Sequence, residues 1–254
     1  MQLHISKNTD SFYHEVADWL VQYVKDVLQK KDYFSIALSG GGTPKSLHEL
    51  LSSEAYKNKI DWEKVHVFFG DERYVSMTDD RSNTKMAFDT LLNHVPVKKE
   101  NIHIMQTDIP AEESAAEYEK LLHKYFNGEN NGESLTTHHS PLTTFDLVFL
   151  GMGDDGHTLS LFPGGDLMFE KEKWAAAPWV PAQNMFRITL TAVVVNMAAK
   201  IAFLAVGDKK AEALYEVLEG DHNPQKYPSQ IIKPIHGQLH WFVDQAAAAD
   251  LTIQ

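Results

Sequence analysis

Residues 151–158, Gly-Met-Gly-Asp-Asp-Gly-His-Thr, set one histidine beside two carboxylates and among three glycines. An imidazole held near a carboxylate is suited to act as a base near neutral pH. His157 is therefore the first candidate for chemistry. Asp155 is the group to orient it or stabilise its charged form, with Asp154 as second choice. A metal held by His157 with Asp154 or Asp155 is the competing use, but no His-Glu-x-x-His or comparable set accompanies them. The other twelve of the 13 histidines lack such a setting. His138 and His139 lie in a polar stretch and read as solvated, while His66 and His103 fall in apolar strand-like patterns, where a satisfied imidazole is expected.

Ser39-Gly40-Gly41-Gly42-Thr43-Pro44 has the form of a phosphate cradle. Glycines permit close backbone approach, amides at a helix start point outward, and Thr43 adds a hydroxyl. The Walker spacing is missing, and Lys45 stands where the dinucleotide pattern needs its last glycine, so a sugar phosphate fits better than a nucleotide. A tight turn without a ligand is the plainer alternative. Arg73, Arg187 and Lys210 lie near strand ends or just before a strand-like stretch. Arginine offers a planar fork to phosphate oxygens and lysine a point charge. Each cation alone would read as a surface salt bridge in an acidic protein. Asp71 and Glu72 read as groups that orient these cations rather than meet an anion directly.

Holding such groups together takes an ordered set of elements. Phe12, Val16, Trp19, Leu20, Tyr23, Val24 and Val27 recur at helical spacing and predict an opening amphipathic helix over residues 10–30. Short apolar runs predict strands at Phe34 to Leu38, Val65 to Phe69, Phe145 to Leu150, Ile201 to Val206 and Leu239 to Val243, with a further strand-like stretch at Ile188 to Val195. Helical patterns follow at Pro44 to Leu51, Ser82 to Leu92, Ala111 to Phe126 and Lys209 to Leu218, and Ala246 to Ala249 reads as a final helical turn. This alternation predicts an α/β fold, a mostly parallel sheet with helices on both faces.

Four strands exit into glycine and charge: SGGGTPK, GDERY, GMGDDGHT and GDKKA. Ligands of open parallel sheets sit beyond the carboxyl ends of the strands, so these exits should converge on one composite site. Glycine and aspartate also serve ordinary strand-to-helix turns. The polar stretch from Asn127 to Thr144 reads as an exposed loop rather than a linker, which makes residues 1–254 a single domain.

Composition narrows the partners. Across 254 residues, 43% apolar content allows a substantial core, and 23 Lys plus Arg against 35 Asp plus Glu give a formal charge of −12. Such a surface repels nucleic acid and anionic membrane, so an anionic ligand needs a local basic pocket. The absence of cysteine removes disulfides, thiol nucleophiles and Cys-ligated metals. The first residues show no basic-then-apolar leader, and no run approaches the ~18 apolar residues of a membrane span. A cytoplasmic protein is expected.

The stretches LSGGGTP (38–44), FFGDERYV (68–75), DDRSN (79–83), LGMGDDGHTLSLFPG (150–164), RITLT (187–191) and GDKKA (207–211), in this order, resemble the 6-phosphogluconolactonase family. The resemblance implies a Rossmann-like domain, shared with glucosamine-6-phosphate deaminases and ribose-5-phosphate isomerases. It implies a hydrolase of the pentose phosphate pathway that uses neither metal nor organic cofactor. The substrate would be 6-phospho-D-glucono-1,5-lactone. Its phosphate would be held by Ser39, Gly40, Gly41, Gly42 and Thr43 with Arg73 or Arg187 and Lys210, and Asp71 is counted with this binding set. Water would attack the lactone carbonyl with His157 as base, and backbone amides or Asn83 would stabilise the carbonyl oxygen.

Two alternatives stand beside this expectation. The related deaminases typically continue after the histidine to an Asn-Glu-Pro segment, whereas Thr158-Leu159-Ser160-Leu161-Phe162-Pro163 carries no carboxylate before the proline. A sugar-phosphate sensing module would bind without turnover, but the acidic chain has no helix-turn-helix extension and a binder has no use for the histidine motif. The oligomeric state is left open, with a monomer favoured.

Overall fold

The computed structural model describes residues 1–127 and 143–252. Most of the stretch read as a polar loop, with His138 and His139, lies outside the described residues. The elements that matter are β1 (Gln2–Ser6), α1 (Thr9–Leu28), β2 (Phe34–Leu38), α2 (Gly42–Leu51), β3 (Val65–Phe69), β4 (Asp71–Arg73), α3 (Asn83–Ala87), α4 (Ala111–Phe126), β5 (Leu147–Gly151), β6 (Ala175–Ala176), β7 (Trp179–Val180), β8 (Met185–Leu190), α5 (Ala192–Val195), β9 (Lys200–Ala205), α6 (Ala211–Leu218) and β10 (Gln238–Asp244).

Among the described residues six strands form a parallel sheet in the order β1-β10-β9-β5-β2-β3. Alternate side chains of each inner strand feed two separate cores, as the twofold period of a strand requires. Phe34, Ile36, Leu38, Val67 and Phe149 pack with Phe12, Val16 and Leu20 of α1 and with Leu47 of α2. Val148, Leu150, Phe203 and Trp241 face the other way, onto Tyr118 and Leu122 of α4, Val194 of α5 and Leu214 of α6. The expected α/β architecture, with a parallel sheet covered on both faces, is present.

From β2 the chain steps outward to β3, and then resumes on the other side of β2 with β5 and continues to β9 and β10. The order therefore reverses between β2 and β5. At such a reversal neighbouring loops leave in opposite directions and open a crevice at the carboxyl edge. Both the glycine turn (39–44) and the histidine motif (151–158) start at that crevice.

Three local expectations change. Residues 188–195 are not one strand: β8 ends at Leu190 and Ala192–Val195 is a helical turn, Thr191 marking the break in extended conformation. Gln2–Ser6 is an unanticipated strand, paired with β10; it lies at the sheet edge and carries a single fully buried residue, so it shows no apolar run. His103 lies outside any strand, its N–H donating to the Val67 carbonyl at 2.8 Å. His66 is a satisfied imidazole as expected, with Tyr125 Oη 2.5 Å from its Nδ1; His103 packs ring against ring with Phe68 and Tyr125, but its buried Nε2 has no hydrogen-bond partner. Ala246–Ala249 does make a turn, closed by Ala248 N–H to the Asp244 carbonyl at 3.0 Å.

Candidate active site

The crevice is lined by Ser39 to Pro44, Asp71, Arg73, Gly151 to Gly153, His157, Arg187 and Lys210, with Leu159 and Leu204 as apolar floor. All four strand exits thus contribute to one cleft.

The glycine turn begins where β2 ends. Gly41 has φ +101°, a conformation that L side chains rarely adopt, and caps α2 without a side-chain hydrogen bond. The first amides of α2 are left facing the cleft, where helix-end amides favour an anion. Ser39 Oγ accepts from Gly151 N–H at 3.3 Å, which ties the two exits at the reversal point together.

In the second exit the residues Asp71 to Arg73 form a strand, and this strand pairs antiparallel with β8. The register sets Arg73 opposite Arg187 and Asp71 opposite Thr189. Arg187 is buried, with Nη1 3.6 Å from Asp71 Oδ2, and its Nε and Nη2 donate to Gln183 Oε1. Burial pushes the Arg187 guanidinium below its ordinary pKa, opposed by the Asp71 charge. Asp71 also accepts from Ser160 Oγ at 2.6 Å and from Asn83 Nδ2 at 3.1 Å. Arg73 donates through Nη1 to the Arg81 carbonyl at 2.6 Å, while its buried Nε has no partner. Glu72 points away from the cleft and accepts from the N–H groups of Arg73, Asn83 and Thr84 and from Ser82 Oγ. Asn83 is buried behind Gly40, outside the cleft lining, with its amide committed to Asp71.

In the third exit His157 Nδ1 lies 2.5 Å from Asp155 Oδ1, which also accepts the His157 backbone N–H at 3.1 Å. The hydrogen bond from His157 holds the Asp155 carboxyl down at about 2, against a smaller opposing effect of burial. A carboxylate on Nδ1 fixes the tautomer with its proton there and leaves the Nε2 lone pair to accept a proton. Gly153 is required by close approach: a Cβ there would meet His157 Nδ1 at 2.0 Å and Asp155 Oδ1 at 2.4 Å. Phe162 stacks on the imidazole with centroids 4.5 Å apart.

Asp154 turns the other way and pairs with Lys210 of the fourth exit at 2.5 Å. The adjacent carboxylates divide the work, one on the histidine and one on the cleft lysine. Among the described residues no group of three or more His, Asp or Glu side chains is arranged to hold a metal ion. Sequence reasoning missed Ser160, Gln183 and Phe162. Ser160 and Phe162 lie three and five residues past His157, and Gln183 four residues before Arg187, a proximity that was available as a signal.

Residues 7–241 match the sequence profile described as glucosamine-6-phosphate isomerases/6-phosphogluconolactonase. The chain is 40% identical over 218 residues to a 6-phosphogluconolactonase of Synechocystis sp., covering 85% of this chain and 84% of that one. It is 37% identical over 237 residues to a 6-phosphogluconolactonase of Nostoc sp., covering 93% and 92%. The crystal structure of 6-phosphogluconolactonase from Thermotoga maritima superposes with a TM-score of 0.78 at 26% identity, over 96% of this chain and 99% of that one.

Proposed function

The chain belongs to the glucosamine-6-phosphate isomerase/6-phosphogluconolactonase family, and from that premise we propose that it hydrolyses 6-phospho-D-glucono-1,5-lactone to 6-phosphogluconate, a step of the pentose phosphate pathway. The observation that carries the reading is the single cleft in which an Asp-held imidazole faces a helix-start glycine turn and three cations. A cleft with a base and an anion-binding turn in its wall suits a substrate that carries both a carbonyl and a phosphate.

His157 Nε2 takes a proton from the water that attacks the lactone carbonyl, forming the new C–O bond and a tetrahedral intermediate. As the intermediate collapses, the bond from C1 to the ring oxygen breaks and the imidazolium returns the proton to that oxygen. Asp155 stabilises the imidazolium between the two transfers, as a carboxylate does in other histidine-dependent hydrolyses. The phosphate takes the Ser39 to Thr43 turn, with Lys210 and Arg73 as its cations. Arg187, buried against Asp71 and Gln183, supports that edge of the cleft and holds Asp71 for the sugar hydroxyls. Asn83 acts through Asp71, and the carbonyl oxygen is left to backbone amides of the glycine turns.

Thr158 to Pro163 offers no carboxylate for sugar ring opening, which supports the lactonase over the deaminase chemistry. The charge of −12 fits a small anionic substrate drawn to a local basic pocket rather than a nucleic acid, and we take the chain to act as a monomer. No helix among the described residues is long and apolar enough to cross a membrane, and we take the setting to be the cytoplasm and residues 1–254 to act as one domain. The test is formation of 6-phosphogluconate from freshly generated lactone, read with a coupled dehydrogenase against the spontaneous background. Acceleration is expected; a rate equal to the background rejects the reading.

A further inference from the structure

The segment after His157 reverses and returns to the cleft. Thr158 Oγ1 donates to the Gly151 carbonyl at 2.8 Å, and Leu161 N–H donates to the Thr158 carbonyl at 2.9 Å, with Thr158 and Leu161 bridged antiparallel. Between them Leu159 has φ 53°, a left-handed backbone that a branched side chain adopts only when its surroundings hold it there. Its side chain is buried and presses on Gly70, at the end of β3, where a Cβ would meet Leu159 Cδ2 at 2.8 Å. The reversal delivers two side chains to working groups of the cleft. Ser160 donates to Asp71, and the half-buried Phe162 lies over the His157 ring with its plane inclined by 29°.

The imidazole is thereby held on two sides. Asp155 takes its Nδ1 edge, and Phe162 covers one face. An edge hydrogen bond alone leaves a ring free to swing about that contact, and a swing of about 1 Å at the reacting nitrogen is enough to cost on the order of a hundredfold in rate. A stacked ring removes this freedom.

We propose that Phe162 is a positioning residue for the hydrolysis, holding the His157 plane so that Nε2 meets the attacking water, and that the left-handed turn at Leu159 is what places it. The proposal rests on His157 acting as base on the lactone. No bond forms or breaks at Phe162, and it touches neither end of the substrate in this role, so its effect belongs in kcat and not in KM.

Phe162→Leu removes the ring and keeps an apolar side chain, whereas Phe162→Tyr keeps the ring. The expected result is a kcat lower by about ten- to a hundredfold in the leucine variant, KM within about twofold, and a tyrosine variant within about twofold of wild type. The second readout needs no turnover. In 1H–13C spectra the ring protons of His157, assigned by their loss in His157→Ala, should be shielded by the stacked phenyl ring and move downfield in Phe162→Leu. If the leucine variant does not fold, Phe162→Met makes the same comparison. A ring-less variant with wild-type kcat, a tyrosine variant as slow as the leucine one, a KM that rises in step, or His157 ring protons that do not move would each overturn the proposal. Wild-type protein without lactonase activity sinks the hydrolysis reading and the proposal with it; active wild type with an indifferent ring-less variant sinks the proposal alone.

Discussion

The exits of β3 and β5 use the same residue types for opposite ends. After β3, Glu72 is 1% exposed and accepts four hydrogen bonds, three from α3 and its N-cap and one from the Arg73 N–H, so most of its charge is spent on starting a helix. After β5, the Asp155 side chain is 51% exposed and meets a single side chain, the imidazole of His157. A carboxylate whose lone pairs are all taken by fixed donors cannot respond to a reaction, because any change in it uncovers buried N–H groups. One that touches a single titratable partner can follow that partner's charge. The adjacent Asp71 lies between these extremes, being buried yet in the cleft wall.

The largest expected effect is on the β5 side. His157→Ala should lower kcat by about two to four orders of magnitude with little change in melting temperature, measured by the coupled assay and thermal unfolding. Loss of fold alongside activity would erase the contrast, since the exit would then be structural as well. Next comes Glu72→Gln, which turns a donor toward backbone N–H groups. It should cost about 2–3 kcal/mol of unfolding free energy in denaturant titration, and a value near zero would remove Glu72 from its structural role.

A smaller effect is expected from Lys210→Ala. KM for the phosphorylated lactone should rise about tenfold, with kcat nearly kept, while unphosphorylated gluconolactone should show no change in KM. Equal changes for both substrates would detach Lys210 from the phosphate. The smallest effect concerns acid stability. The Asp155 carboxyl is depressed to about 2, so what its ion pair with His157 contributes is present above about pH 4 and is lost as pH falls through about 2. The pair is half exposed, so this contribution stays below about 1 kcal/mol. At pH 5 the melting temperature of Asp155→Asn should lie below that of wild type, and the gap should close toward pH 2; a gap that widens toward acid would reverse the assignment.

Much of the sheet was legible because its signals are local. Phe34–Leu38, Val65–Phe69 and Ala111–Phe126 carry their periodicity within themselves, and the observed bounds coincide with the predicted ones. Gln2–Ser6 was invisible, because an edge strand with one buried residue owes its existence to β10 and not to its own pattern. The same division runs through the site. His157 and Asp155 are two residues apart, so one turn dictates their contact. The sequence offers Asn83 as a donor to the carbonyl oxygen; in the structure its amide faces Asp71, and only packing decides which way a buried amide points.

The set of chemical groups, the glycine and histidine turns, and the strands that end in them follow from the order of residues, since each depends on neighbours within a few positions. Only the tertiary arrangement sets Arg73 opposite Arg187, Asp71 against Arg187, Asp154 on Lys210 and Ser160 on Asp71. Each of these contacts joins segments far apart in sequence, through the pairing of β4 with β8 or the convergence of the strand exits at the carboxyl edge of the sheet. Such pairings are selected by burial of the whole sheet, and no local pattern of residues encodes them.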